Sequence, residues 1–509
     1  MTFSSLASIA AVGTGQRSSL PALGPLSTYL PTPEDDPQAI AYALLDAVAA
    51  LAVVRRGTPP DAPGESLPPA PVDSLPEPPP HVVSLLGPLL ADDAGAIRLS
   101  SDRAYVLAEA LRLVAQAGMR LPHRLLGTAL ARRDFRPSVQ PVLGERGDWL
   151  LAQLQGAGLD GASAHAADTD DPELWDTGIT EERLAWFRRA RSTDPDAARE
   201  AAVAVWKESP AAFRTEIMSA IASTVTPVDE AFCEDNLDDR AEGVRAGAAE
   251  ALSRLPGSAY VARMTARAQS AMTVGETEAG AIHRLLERAV RNLRVTPVEP
   301  DEASARDGLG AKLSSLERLT RLVAAVPPAA WPSLVGVTAA ELVALPQDEP
   351  RWDLVPGVVT ATLRHGDAAT ANALVAVGVL DVRLAPLLST ESVLTLLSQV
   401  PPTLLATVLE RIPMPWPQEI ATAVGQQLIG GGGHQLRPEV WTMFARAVPL
   451  RVAGGWAQRL RGLGQPEGRI VRTMVRDATS VLTVRSVFAD ELRPHLSSWQ
   501  DMQSPGGQP

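Results

Sequence analysis

The sequence predicts an all-α protein, an α-solenoid of stacked antiparallel helix pairs of the HEAT/armadillo kind. Three observations predict it. Ala and Leu, both strong helix formers, dominate, while Phe, Tyr and Trp together make up only 4 % and β-branched residues seldom cluster. Apolar residues return at helical spacing, as at Leu184 and Phe187 and again at Val203 and Trp206. Helix-opening devices recur along the chain, and strand alternation bounded by tight turns is almost absent.

The elements follow in order. Residues 1–36, rich in Ser, Gly and Pro, are expected to be disordered, and a helix is expected over 37–57 with Pro37 at its first position. Thr58 to Pro80 holds 10 prolines in 23 residues, too many for helix or sheet, which predicts an extended linker or a docking site for a reader of polyproline segments; the spacer is the simpler reading. N-terminal helical repeats are expected over 81–295 and C-terminal ones over 309–496. Ser101 is placed to cap a helix to Gln116, Pro122 opens a helix to Arg132, and Asp194-Pro195 and Thr226-Pro227 pair an N-cap with Pro at N1. Pro-opened helices recur at Pro327-Pro328, Pro350 to Gly366, Pro401-Pro402, Pro415 to Leu428 and Pro438 to Val448. Residues 296–308 and the run Gly430 to Gly433 are expected to be loops. The last long helix is expected over Arg469 to Leu492, followed by a disordered tail at 497–509.

The clearest repeat-like unit spans 229–257. Asp229, Phe232 and Leu237 mark a first helix, Asp238-Asp239-Arg240 a turn, and Val244, Ala248, Ala249 and Leu252 a second helix that ends before Pro256-Gly257. An Asp at the turn with an Arg one turn into the second helix is the pattern by which HEAT repeats bond to their neighbours, so Asp239, Arg240 and Arg245 are expected to be inter-repeat bonding residues. Arg191 and Asp194 are read the same way. Such helix pairs cannot bury an apolar face alone and must stack.

Charge and composition exclude several functions. With a net charge of −13 and a pI near 5.2, the chain lacks the clustered cations that phosphate neutralisation demands, which argues against nucleic acid as its main partner. Of its 46 basic residues only Lys207 and Lys312 are lysines, so lysine chemistry is confined to two places. The single cysteine, Cys233, cannot form an internal disulfide and fits a reducing cytoplasm. It could be a nucleophile, but with no His nearby in sequence the expected role is that of a small buried side chain. No apolar run is long enough to span a bilayer, and the N-terminus lacks the basic region of a secretory signal.

Motifs for catalysis are missing. His81, His123, His165, His283, His365, His434 and His495 stand apart, with no HExxH or HxxxH spacing, so no metal site is expected. Gly308-Leu309-Gly310-Ala311-Lys312 has the wrong spacing for a phosphate loop and follows no expected strand, and no GxSxG elbow occurs. No catalytic residue and no cofactor is therefore assigned. The stretch Val142 to Leu150 is the most distinctive. Glu145, Arg146, Asp148 and Trp149 lie around Gly144 and Gly147, either as a loop presenting charge to a partner or as a structural turn in which Arg146 pairs locally and Trp149 packs.

Several pieces together resemble an uncharacterised bacterial family, the domain of unknown function 5691. They are Leu121-Pro122-His123-Arg124-Leu125-Leu126, the Val142 to Leu150 stretch, Trp175, Arg183-Leu184, Arg188 to Asp194, Trp206 and the unit Phe232 to Ser258. The resemblance covers roughly 80–495 and is weakest in the C-terminal third. It implies a helical-repeat protein encoded beside a SWIM zinc-finger protein, a MoxR-type AAA+ ATPase and a von Willebrand factor A protein. The expectation is a non-catalytic scaffold or adaptor that binds protein partners, such as that ATPase or the von Willebrand factor A protein. Two alternatives stay open. One is a HEAT-like, glycosylase-like nucleic-acid binder, although residues 180–294 carry 16 basic against 18 acidic side chains. The other is an unrecognised enzyme, which a pocket holding a carboxylate of strongly raised pKa would favour.

Overall fold

Helices make up nearly all the regular structure of the computed structural model, which describes residues 37–57, 69–91, 102–156, 173–277, 290–347, 352–432, 436–463 and 469–496. The expectations for 1–36, for 58–68, for Ser101 and for the tail 497–509 concern residues outside that set, as do those for His165, His283 and His434. Among the described residues the protein is all-α apart from one hairpin.

The chain divides into two compact units, Met1–Ala70 and Pro71–Pro509. In the first, helix α1 (Pro37–Gly57) has its expected bounds and buries Ile40, Ala43, Leu44 and Ala47, a stripe at the spacing one helical face requires.

The larger unit begins with an extended stretch that Pro80 ends, standing at the first position of α2 (Pro80–Leu90). Then follow α3 (Arg103–Gln116), α4 (His123–Ala131) and α5 (Gly144–Gly156). After residues 157–172, outside the described set, come α6 (Thr180–Thr193), α7 (Pro195–Val205), α8 (Ala211–Ser223), α9 (Glu230–Asp235), α10 (Glu242–Ser253) and α11 (Ala259–Ala271). The expected cap is present at Asp194, whose side chain accepts the Ala197 N–H at 3.0 Å ahead of Pro195 at N1. Strands β1 (Met272–Thr277) and β2 (Val290–Val295) pair antiparallel, with Val274 opposite Leu293. Residues 278–289 separate the strands in place of a two-residue turn, so the sequence carried no hairpin signal. Burial of Met272 and Leu293 holds the ribbon to the helices.

The C-terminal half contains α12 (Ser315–Ala325), α13 (Val355–His365), α14 (Ala368–Ala376), α15 (Thr390–Gln399), α16 (Pro402–Leu409), α17 (Gln418–Gln427), α18 (Pro438–Ala447), α19 (Leu450–Arg461) and α20 (Arg469–Leu492), the last with its expected bounds. Two of the expected loops are partly helical. Within 296–308, Glu302–Arg306 forms a short helix because Asp301 accepts the Ser304 N–H at 2.6 Å. Leu428–Gly432 continues α17 as a π turn, with Leu428 buried and Ile429 packed on the core; Gly433 lies outside the described residues.

Two hydrophobic cores form, and they do not follow the expected division at 296–308. One spans Trp175 to Leu384 and takes in Leu309 and the hairpin residues Met272 and Leu293. The other joins the two ends of the unit, with Val82 to Leu143 packed together with Ala385 to Leu496. Helix α20 lies against α19, α18, α3 and α2 and buries Val481, Leu482, Phe488 and Leu492. Each such side chain contributes about 1.5–3 kcal/mol. The chain thus leaves the second core after α5, builds the first, and returns.

Candidate functional site

The Leu121–Leu126 and Val142–Leu150 stretches come together, and the group they meet on is Asp73, in the second half of the proline tract. Residues 71–79 are extended, as the four prolines among them favour, but they are not a free spacer. Asp73 points inward with its side chain only 1 % exposed. Its Oδ1 accepts the Arg146 backbone N–H at 3.0 Å, at the N-terminal end of α5 where the amides have no partner within the helix. Its Oδ2 lies 2.6 Å from His123 Nε2 and 3.3 Å from Arg120 Nε. The Arg120 guanidinium also reaches Glu77 at 3.1 Å and the Leu121 carbonyl at 3.0 Å, while its backbone N–H donates to the Pro76 carbonyl at 3.0 Å. Ser74 donates to Glu145 at 2.9 Å.

Gly144 makes this approach geometrically possible. Its φ is +68°, and a Cβ there would stand 2.5 Å from Asp73 Oδ1 and 2.9 Å from Arg120 Cδ. Only glycine tolerates both demands.

The electrostatics follow from the contacts. Burial pushes the Asp73 carboxyl up, but the Arg146 amide, the His123 hydrogen bond and the charges of Arg120 and His123 outweigh it, so the group titrates below its ordinary value. Arg146 Nη1 lies 3.4 Å from His123 Nδ1. A guanidinium can only donate, so in the neutral ring Nδ1 accepts and the Nε2 proton is directed at Asp73, and the protonated ring keeps that same Nε2 donor. Both nitrogens of the ring therefore face groups of the protein, and the cluster acts as a latch that ties residues 71–79 to α4 and α5.

The other expected residues distribute as follows. Asp148 is exposed. Trp149 is half-buried, and its indole N–H is buried with no acceptor among the described residues. Asp239 pairs with Arg214 of α8 at 3.0 Å and caps the Ala241 N–H at 2.7 Å. Arg245 bonds the carbonyls of Asp239 and Arg240 at 2.6 and 3.0 Å, and Arg240 itself is exposed. Asp239 and Arg245 thus do not pair through their side chains. Arg191 and Asp229 form a bidentate pair at 2.8 Å with both side chains 0 % exposed. Cys233 is buried, and burial together with the Asp229 charge pushes its thiol up to about 12. Among the described residues no three His, Cys, Asp or Glu side chains gather as they would around a metal ion, and no helix is long and apolar enough to cross a membrane.

A concavity of about 290 Å³ opens between α15, α16 and α17 and is lined by Leu397, Val400, Pro402, Leu405, Gln426 and Gln427 among others.

Sequence reasoning missed Asp73 and Arg120. Asp73 carried one weak signal, an acidic residue among prolines, and nothing local says that it faces inward.

No curated protein and no solved structure matches the chain. The sequence profile of a family of unknown function, DUF5691, matches residues 5–492, nearly its whole length, and the chain belongs to that family.

Proposed function

We propose that the protein is a non-catalytic scaffold of the HEAT/armadillo type that binds protein partners in the bacterial cytoplasm. One observation supports this reading above others: the ionisable side chains that meet inside the larger unit are spent joining one helix to the next. Arg191 of α6 bonds Asp229 ahead of α9, and Arg214 of α8 bonds Asp239 ahead of α10. Arg364 of α13 bonds Glu250 of α10, and Arg263 and Arg306 share Glu234 across three elements. Stacked helix pairs need such bonds, and they present surfaces on which a partner can dock. The α15–α17 concavity, apolar inside with glutamine amides at hand, suits a partner's side chain.

The partner class follows from the family resemblance: a MoxR-type AAA+ ATPase, a von Willebrand factor A protein or a SWIM protein of the same system. Affinity purification of the tagged protein from its native host, at low and moderate salt, tests the reading. Recovery of one of those proteins supports it. Recovery of nucleic acid that washes away with salt favours a nucleic-acid binder, and a pure monomer indifferent to the ATPase at about micromolar concentration counts against the scaffold.

A further inference from the structure

We infer that the cradle formed by Arg120, His123 and the Arg146 amide is a binding site for an acidic, extended segment of a partner protein, occupied in this structure by the chain's own residues 71–79. The inference deepens the scaffold reading and rests on it.

The argument starts from what the strap buries. Asp73 and Pro78 go inward, whereas Val72 is 84 % and Leu75 41 % exposed. An extended segment held by its apolar side chains would turn them to the protein. This one turns Val72 and Leu75 to solvent, buries Pro78, and is otherwise held by polar contacts: the Asp73 carboxylate on the Arg146 amide and His123 with the Arg120 charge beside it, Glu77 on Arg120, the Pro76 carbonyl on the Arg120 amide, and Ser74 on Glu145. The contacts of Ser74, Pro76 and Glu77 lie at the surface and exchange readily with water, so release of the segment turns on the buried Asp73 carboxylate, which another carboxylate can replace.

The receiving side also has anchors that do not involve the strap. Arg120 is anchored to the Leu121 carbonyl, Leu121 donates to Val142 at 2.8 Å, and Gly144 sets the amide of Arg146. With Asp73 withdrawn, a helix N-terminus, a guanidinium and an imidazole N–H converge on the space it leaves. A single carboxylate on an extended backbone satisfies that set; an apolar or basic segment does not. A partner carrying such a segment would displace the strap, so the strap is an internal competitor with an effective concentration of about millimolar.

The test uses a labelled peptide with the sequence of residues 69–79 and its counterpart with Asn in place of Asp73. The full-length Asp73→Asn chain should bind the Asp peptide about tenfold more tightly than the wild-type chain does, since its own strap no longer competes. The Asn peptide should not bind. A second measurement needs no latch mutation. Val72→Cys, at an exposed position, can be labelled selectively because Cys233 is buried. The label's fluorescence anisotropy should fall when about millimolar Asp peptide releases the strap, and should hold steady with the Asn peptide. Equal affinity for both peptides, or an anisotropy that neither peptide moves, would overturn the inference. The assay needs no native partner, so its result is separate from that of the co-purification.

Discussion

At the scale of single residues, Asp73 and Gly144 depend on each other. Asp73→Asn keeps the shape of the side chain and removes the charge, leaving Arg120 without its buried counterion. Breaking a buried pair in this way costs about 3 kcal/mol, here paid in the attachment of the strap. Limited proteolysis should cut the variant within 71–79 faster than the wild type; equal rates would mean the carboxylate does not hold the strap. The pH dependence has a definite sign. Asp73 titrates below its unfolded value of 3.8 in the folded chain, so its contribution is complete above that pH and disappears as pH falls through the lower folded value. The strap should therefore stay fastened across the neutral range and detach under strong acid. Gly144→Ala forces a Cβ into a positive φ and against Asp73, and the expected loss is about 1–3 kcal/mol in urea denaturation. A neutral result would show that the turn can relax and that the strap is not closely seated.

Individual helices depend on capping and on a few buried charges. Arg191 of α6 makes five hydrogen bonds: two to Asp229, two to Thr224 and one to the Pro195 carbonyl. Asp229 also accepts from the Thr226 amide and hydroxyl at 2.9 and 3.1 Å. Every donor of that guanidinium is used, so the pair is fully satisfied although neither side chain touches water. Asp229→Ala strands the arginine and should cost about 3–5 kcal/mol, whereas Arg191→Met with Asp229→Leu removes both charges and should cost less. A double-mutant cycle by urea denaturation measures the difference, and a double variant as unstable as the sum of the singles would deny the coupling. Much at this scale was legible in the sequence. The Asp194-Pro195 cap, the bounds of α1 and α20 and the two helices of 229–257 follow from local spacing and turn chemistry. The partner of Asp239 was not legible, because Arg214 lies in a different helix and only packing brings it near. The extended form of residues 71–79 was readable from proline content, but its docking was not, since no local rule tells a bound extended segment from a free one.

The order in which the helices of the larger unit share their cores is a whole-molecule property, and here the sequence is silent, because one sequence carries no record of which distant residues touch. The structure brings α3 and α20 together across most of the chain. Arg485, 1 % exposed, donates to both Glu109 oxygens at 2.6 and 2.9 Å and to the Ala445 carbonyl at 2.6 Å. Beside it, Tyr105 donates to the Arg446 carbonyl at 3.0 Å, and Arg446 pairs with Asp102. Apolar burial would join these helices in any of several rotations, whereas a bidentate ion pair is satisfied in one, so the seam fixes how the two ends meet. Glu109→Gln leaves Arg485 buried and charged without its counterion, at a cost of about 3–5 kcal/mol. If the two cores are separate cooperative units, that cost falls on one of them. Hydrogen exchange should then rise together in α2, α3, α18 and α20, at opposite ends of the unit, while α8, α10 and α12 keep their wild-type protection. Exchange that rises only in α3, or spreads evenly through all the helices, would reject the two-core partition, the first because the ends are not coupled and the second because the middle is not independent of them.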